Sequence, residues 1–135
     1  MHKRVYFDTN VIVDLFDEKR LFHAYSVDVF INIDTLTNLF YILRSYVKLS
    51  LDDAIEKLEF IKNAFTVVGT QLNEIDHTIE LCKKHIFKDY EDGMQYICAL
   101  KEDCTLIITN NPKDFKNASM DVVTSKELSE LWLKI

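Results

Sequence analysis

The fold is decided by the stretch VYFDTNVIVDLF, residues 5–16. Its first three residues are apolar and fit a short buried strand, after which the polar turn Asp8-Thr9-Asn10 interrupts the run. Apolar residues then return at the spacing of a helix, at Val11, Ile12, Leu15 and Phe16. The stretch therefore predicts a strand, a turn and a helix in direct succession.

The same alternation continues along the rest of the chain. Further strands are expected over residues 27–33, 65–68, 105–108 and 122–123, with helices between them. Ser50 with Asp53 and Thr124 with Glu127 fit helix caps. Strands that alternate with helices imply crossovers between parallel strands. The prediction is an α/β fold of three layers, α/β/α, with a mostly parallel central sheet of about five short strands, formed by residues 1–135 as a single domain.

Two of the helices are each expected to bury one apolar stripe. In the helix that begins near Asp34 this stripe is Leu36, Leu39, Phe40, Leu43 and Val47. In the helix that follows Gly69 it is Leu72, Ile75, Ile79, Cys82 and Ile86.

The composition excludes several classes of site. Two glycines, Gly69 and Gly93, are too few and too far apart for a Walker loop, a dinucleotide-binding turn or a nucleophile elbow. The formal net charge of −6 at pH 7 argues against electrostatic adhesion to a membrane or to bulk nucleic acid. Three cysteines in apolar stretches, without a C-x-x-C pair, are expected to be reduced core residues. With no long apolar segment at the start of the sequence, a cytoplasmic protein without membrane association is expected.

Polar side chains follow two of the expected strands where each strand ends. Asp8 follows the first, and Asn111 and Asp114 follow the strand that ends at Ile108. Ligands of open α/β sheets bind beyond the carboxyl ends of the strands, so these side chains are expected to face one site.

Two more acids, Asp89 and Asp92, begin the helix that leads into that later strand. They stand three residues apart and so share one face, where the helix N-terminus stabilises a carboxylate. Taken alone, each of these acids also fits a helix cap or a turn. Carboxylates that converge repel one another unless a cation is present, and oxygen ligands without cysteine or histidine favour Mg²⁺ or Mn²⁺. Hydrolysis of a phosphodiester is the chemistry that such a site would support.

Four segments carry a resemblance to a known family. They are FDTNVIVDL at 7–15, TLTNLFYILR at 35–44, DYEDGMQY at 89–96 with Ala99 behind it, and IITNNPKDF at 107–115. In this order they resemble a PIN-domain protein, similar to the VapC-like ribonuclease toxins of bacterial toxin-antitoxin systems.

The resemblance implies that the first strand lies beside the strand ending at Ile108, and that an acidic pocket holds a divalent metal for the cleavage of single-stranded RNA. By position, Asp8 matches the first acid of the family and Asp92 the third, while Asn111 occupies the fourth position, with Asp114 close behind as its substitute. The three aspartates are the expected metal ligands and catalytic residues, together with Asn38. Supporting roles are expected for Asn10, Asp89, Thr109 and Asn111.

The chain departs from the family pattern in two places. Asn38 occupies the position of the second acid, usually a glutamate, and an amide can neither act as a base nor contribute charge. The region between Asp8 and Asn38 is also shorter than in the family by about one helix, leaving only residues 23–28 there, and this bears on the dimer and partner surfaces.

Cations are needed near the pocket to bind RNA phosphates, and Arg44, Lys48, Lys113 and Lys116 are the expected ones. The resemblance also implies a small antitoxin protein as partner and a homodimer.

Two alternatives remain at this point. A catalytically weakened PIN domain that binds RNA or a protein would explain Asn38. An aspartyl-phosphate hydrolase of the haloacid dehalogenase type also begins with an acid after its first strand, but it expects a second aspartate where Asn10 stands.

Overall fold

The computed structural model describes residues 3–14 and 27–128. Five strands form one sheet: β1 (Lys3–Phe7), β2 (Val27–Asn32), β3 (Thr66–Val68), β4 (Leu106–Ile108) and β5 (Asp121–Val123). Their order is β3-β2-β1-β4-β5, and every neighbouring pair is parallel. The predicted parallel sheet of about five short strands is therefore confirmed.

Helices connect these strands: α1 (Thr9–Asp14), α2 (Ile33–Ser45), α3 (Leu51–Ala64), α4 (Leu72–Lys83) and α5 (Tyr90–Lys101), with a 3-10 turn at Pro112–Phe115. Two predicted caps are present. The Ser50 hydroxyl accepts a hydrogen bond from the Asp53 amide at 3.1 Å, and Thr124 and Glu127 bond reciprocally before the helical residues 125–128. The predicted continuations of α1 to Phe16 and of the last helix to Ile135 lie outside the described residues.

The central strand β1 is buried on both faces of the sheet. Val5 and Phe7 point to one side, where they pack with residues of α1, α2 and α3. Tyr6 points to the other side and packs with residues of α5 and with Phe87 and Phe115. Two layers of helices therefore cover the sheet, as the alternation of strands and helices predicts.

The stripe predicted for α4 is wrong in most of its members. Glu74 and Thr78 are the buried residues of α4, whereas Leu72 is 79% exposed and Ile79 and Ile86 are also exposed. The reason is the contact between α4 and α5, since a Cβ at Gly93 would lie only 3.2 Å from Thr78 Cγ2. Glu74 is compensated within the same contact by Lys101, whose Nζ lies 3.0 Å from Glu74 Oε2.

Val47 is also wrongly predicted as part of a buried stripe. It follows the end of α2 at Ser45 and is exposed, while Leu39 and Leu43 of the same stripe are buried. The helix ends two residues before Val47, so the helical spacing that would place Val47 on the buried face does not reach it.

The three cysteines are free, with Cys98 and Cys104 buried. Burial raises the pKa of the Cys98 thiol to about 11 and that of Cys104 to about 12, so both are unreactive core residues as predicted. Across residues 3–14 and 27–128, no helix is both long enough and apolar enough to cross a bilayer.

Candidate active site

The pairing of β1 with β4 places Asp8 beside Thr109. Phe7 and Ile108 are partners in the parallel register, so the next residue of each strand leaves the sheet at the same edge. The Asp8 amide donates to the Ile108 carbonyl at 2.9 Å, and the Thr109 hydroxyl donates to Asp8 Oδ2 at 2.8 Å. Two residues that are far apart in the sequence therefore form one polar unit at the carboxyl edge of the sheet.

The other carboxylate oxygen of Asp8 is also held. Oδ1 accepts a hydrogen bond from the Thr9 amide at 2.7 Å and another from Gln95 Nε2 at 3.0 Å. Asp8 and Gln95 are both buried, so these bonds leave the carboxylate little freedom to rotate. The Asp8 carboxylate is therefore held by Thr9 of α1, Gln95 of α5 and Thr109 after β4.

The start of α5 supplies Asp89 and Asp92. Asp89 caps the helix, because its Oδ1 accepts a hydrogen bond from the Asp92 amide at 3.0 Å. The capping interpretation is therefore correct for Asp89, and the Asp92 carboxyl group remains available at the helix N-terminus.

Asn38 and Glu91 meet across the gap between α2 and α5. The side-chain amide of Asn38 donates to Glu91 Oε1 at 3.0 Å. The family resemblance predicts an acid at position 38, where this chain has Asn38. The Asn38 amide contacts an acid of the opposite helix, Glu91.

These side chains line a single cavity of about 450 Å³, which we call the acidic cavity. Its lining is Asp8, Thr9, Asn10, Asn38, Tyr41, Ile42, Asp89, Glu91, Asp92, Gln95, Asn111 and Asp114. All the predicted catalytic and supporting residues lie along it except Thr109, which supports Asp8 from the buried side.

The carboxyl groups of the acidic cavity interact with one another. Burial, followed by the charges of Asp89, Asp8, Asp114 and Glu91, raises the pKa of Asp92 to about 7. The pKa of Glu91 is raised as well, by burial and then by Asp8, while the hydrogen bond from Asn38 lowers it. Negative charge is therefore concentrated in this cavity, whose lining contains no lysine, arginine or histidine. A bound cation would relieve the repulsion between the carboxylates.

The donors fit a hard divalent cation. The acidic cavity offers carboxylate, amide and hydroxyl oxygens, with no sulfur or imidazole ligand in its lining. Within the described ranges, no three histidine, cysteine or acidic side chains lie close enough together to hold a metal ion directly. Mg²⁺ is commonly held by one or two carboxylates and keeps several waters, so the donor set matches an ion of this kind bound openly.

A second cavity of about 570 Å³, the basic cavity, adjoins the acidic cavity and shares Asp89, Asp92 and Asp114 with it. Its remaining lining is His85, Ile86, Lys88, Lys113, Lys116 and Asn117. Predicted cations Lys113 and Lys116 thus lie next to the acids.

The other two predicted cations lie elsewhere. Arg44 lies in the last turn of α2, and its Nη1 donates to the Leu49 carbonyl at 3.1 Å. Lys48 lies in the connection between α2 and α3. Neither residue lines the acidic or the basic cavity. The structure therefore brings two of the four predicted RNA-binding residues to the site and not the others.

Sequence reasoning missed Glu91, Gln95 and Lys88 as site residues. Glu91 and Gln95 are four positions apart in α5 and so lie on one face of the helix, which is a pattern visible in the sequence. In the sequence, Glu91 is one of several acids in a first helical turn, and Gln95 lies in a largely apolar stretch. Neither is distinctive until its partner is known, which is Asn38 for Glu91 and Asp8 for Gln95.

Comparison with known proteins gives the following similarities. The family model for the PIN domain matches residues 5–119. Over 142 aligned residues the chain is 34% identical to Ribonuclease VapC1 of Aquifex aeolicus, covering 96% of each protein.

Solved structures share the fold at lower identity. The structure of PAE2754 from Pyrobaculum aerophilum superposes with a TM-score of 0.76 at 12% identity, covering 100% of this chain and 98% of that one. A toxin-antitoxin complex from Klebsiella pneumoniae contains a chain that superposes with a TM-score of 0.69 at 20% identity, covering 90% of this chain and 97% of that one.

Proposed function

The chain belongs to the PIN-domain family, and we propose that it is an endoribonuclease that hydrolyses single-stranded RNA with a divalent cation, Mg²⁺ or Mn²⁺. The similar protein of Aquifex aeolicus is named a ribonuclease. The observation that carries the proposal is the convergence of Asp8, Asp92 and Asp114 on one cavity, although they come from three separate segments of the chain.

In this proposal Asp8, Asp92 and Asp114 hold the cation, directly or through water molecules. When bound, the ion offsets charge on the phosphate oxygens and makes a water molecule more acidic and more nucleophilic. Thr109 and Gln95 keep both oxygens of Asp8 oriented, so that its lone pairs are presented in one direction. Thr109 also orients the loop after β4, because its hydroxyl accepts a hydrogen bond from the Asn111 amide at 3.1 Å.

The basic cavity supplies the countercharge for RNA. We assign Lys88, Lys113 and Lys116 to the phosphates next to the bond that is cut, because these lysines line the cavity that shares a wall with the acids. Contacts between lysines and phosphates make RNA affinity fall steeply as the salt concentration rises.

A binding module without catalysis is the second candidate function, and Asn38 is the observation that favours it. The amide removes one charge from α2, yet Glu91 brings a carboxylate to the same place from α5. This contact favours the nuclease, because it places a carboxylate beside Asn38 in the acidic cavity.

The test is cleavage of single-stranded RNA by the purified chain in Mg²⁺ or Mn²⁺. We expect wild type and Asp52→Asn to cleave and Asp8→Asn to be inactive. Asp52 is an exposed acid in the first turn of α3 and lines neither cavity, so it is a matched control. RNA binding by wild type without any cleavage, in either metal, would favour the binding module.

We also propose a small protein partner of the antitoxin type, on the basis of the similar toxin-antitoxin complex. Apolar side chains are exposed where α2 ends and α3 begins, at Tyr46, Val47, Leu51 and Ile55, and an exposed apolar patch of this kind is typical of a protein-binding surface. The homodimer and the cytoplasmic location stay predictions. A mass measurement in solution on wild type and Leu51→Glu tests whether this patch joins two copies of the chain. A dimer that Leu51→Glu disrupts would place the patch in a homodimer interface. If both proteins are monomers, the patch is free to bind another partner.

A further inference from the structure

A third cavity, of about 300 Å³, lies on the other side of Asn38 and Glu91. It shares Asn38, Glu91 and Gln95 with the acidic cavity, and its further lining includes Tyr90 and Met94. We call it the Tyr90 cavity. Since the basic cavity shares a different wall with the acidic cavity, the acids lie between a cavity with lysines and a cavity with an aromatic ring.

The walls of the Tyr90 cavity combine an aromatic face with an apolar floor. Tyr90 is the first residue of α5 and is 47% exposed, so its ring is not buried in the core and is accessible to a ligand. Met94 is buried one turn further along the same helix, and its sulfur lies 3.7 Å from the Thr78 hydroxyl. The rest of the lining is polar and consists of Asn32, Asp34, Thr35, Thr37, Asn38, Glu91 and Gln95.

This combination fits a planar heterocycle. In single-stranded RNA the bases are free to splay out, and proteins bind them by stacking on aromatic side chains and by hydrogen bonds to the edges of the base. The Tyr90 ring and Met94 provide the stacking and apolar contact, and the polar side chains of the lining provide partners for the edge of a base.

We propose that the Tyr90 cavity binds one nucleobase of the RNA, next to the phosphate that is cut in the acidic cavity. This inference rests on the proposed function, because it is the RNA in the acidic cavity that brings a base to the adjoining one. The two cavities adjoin, because they share Asn38, Glu91 and Gln95, so a phosphate in one and a base in the other would belong to neighbouring parts of one strand. The cavity would then bias the sequence at which the RNA is cut.

Binding of a short single-stranded oligonucleotide in EDTA tests the base contact without cleavage. We expect Tyr90→Ala to bind about tenfold more weakly than wild type, which is the loss of one stacking contact, and Tyr90→Phe to bind within about twofold. Tyr46→Ala is the control, because Tyr46 is 83% exposed and lines none of the three cavities. Thermal melting of each variant verifies that it is folded. Equal affinities of wild type and folded Tyr90→Ala would overturn the inference.

Mapping the cut positions in Mn²⁺ separates this inference from the proposed function. If wild type cleaves, we expect Tyr90→Ala to redistribute the cut positions and Tyr46→Ala to keep the wild-type pattern. Cleavage by wild type with affinity and pattern unchanged in Tyr90→Ala overturns the nucleobase site and leaves the nuclease standing. Binding that depends on Tyr90, with no cleavage by wild type in either metal, supports the nucleobase site and overturns the nuclease.

Discussion

The side-chain amide of Asn38 donates a hydrogen bond of 3.0 Å to Glu91, and this contact joins α2 to α5 across the acidic cavity. In the family pattern that the sequence resembles, an acid is usual where Asn38 stands. Here the carboxylate comes from the opposite helix, and the amide orients it. The cavity thereby keeps a carboxylate at this wall although α2 provides none.

Relocating this charge tests whether Glu91 replaces the missing acid. We expect Glu91→Gln to weaken Mn²⁺ binding by about tenfold, since removing a negative charge from the acidic cavity lowers its affinity for a divalent cation. Adding Asn38→Glu to that variant puts a carboxylate back on α2 and should restore most of the affinity. Calorimetric titration measures both, with Glu59→Gln on the exposed face of α3 as the control. A double variant that binds as weakly as Glu91→Gln alone would show that Glu91 does not have this role.

Thr109 is expected to be a positioning residue for Asp8. Thr109→Val keeps the shape of the side chain but removes the hydroxyl that donates to Asp8 Oδ2 at 2.8 Å. Losing a buried partner of a charged group costs about 1–3 kcal/mol, so we expect a lower melting temperature and RNA cleavage reduced by about tenfold. The comparison is Thr105→Val, whose exposed hydroxyl only donates to the Arg4 carbonyl at 3.4 Å. Addition of Mn²⁺ should raise the melting temperature of Thr105→Val more than that of Thr109→Val. Equal shifts would mean that Thr109 supports only the fold.

The acid repulsion predicts a pH-dependent effect of Asp92→Asn on stability without metal. The pKa of Asp92 is raised in the folded chain from 3.8 to about 7, so the folded state binds the proton more tightly than the unfolded state. Between about pH 4 and pH 7 the unfolded chain ionises first, and wild type therefore loses stability as the pH rises. An asparagine cannot ionise and avoids this loss.

We expect Asp92→Asn to melt higher than wild type at pH 7.5 in EDTA and at the same temperature near pH 4. Asp92 is partly exposed, so solvent screening limits the gain to about 1 kcal/mol or less. Thermal melts at both pH values measure the difference, and Asp52→Asn serves as the comparison. A difference that does not change with pH would contradict the account of the acidic cavity.

Much of this site could be predicted because parallel strands end at the same edge of a sheet. Asp8 and Asp114 follow strands, and the polar turn after each strand is visible in the sequence. The contact between Asn38 and Glu91 could not be predicted, because it depends on how two helices lie across the cavity. The buried face of α4 was also hidden, since the small size of Gly93 lets Thr78 approach and turns the more apolar side of α4 to solvent.

Substitution of His85 tests the basic cavity and is also expected to raise the stability of the fold. It ends α4 with φ of 58°, in the left-handed region, and its amide donates to the Cys82 carbonyl at 3.0 Å. Glycine is the residue favoured at such a helix end, so His85→Gly should stabilise the fold by up to about 1 kcal/mol. Because His85 lines the basic cavity, the same change should weaken RNA binding.

Asp103 is the matched control for this change. It ends α5 in the same way, with φ of 55°, and it lies outside the basic and acidic cavities. We expect Asp103→Gly to give a similar gain in melting temperature and no loss of RNA affinity. If both variants bind RNA equally well, His85 has no part in binding.

The central claim is that Asp8, Asp92 and Asp114 bind one divalent cation in the acidic cavity, directly or through water molecules. Anomalous scattering from crystals grown with Mn²⁺ tests it most directly, because the metal is located without reference to activity. We predict a strong peak in the acidic cavity of wild type beside Asp8 and Asp92, and no peak there in Asp8→Asn crystals. A wild-type cavity without a peak at millimolar Mn²⁺, or a peak that persists unchanged in Asp8→Asn, would contradict the claim.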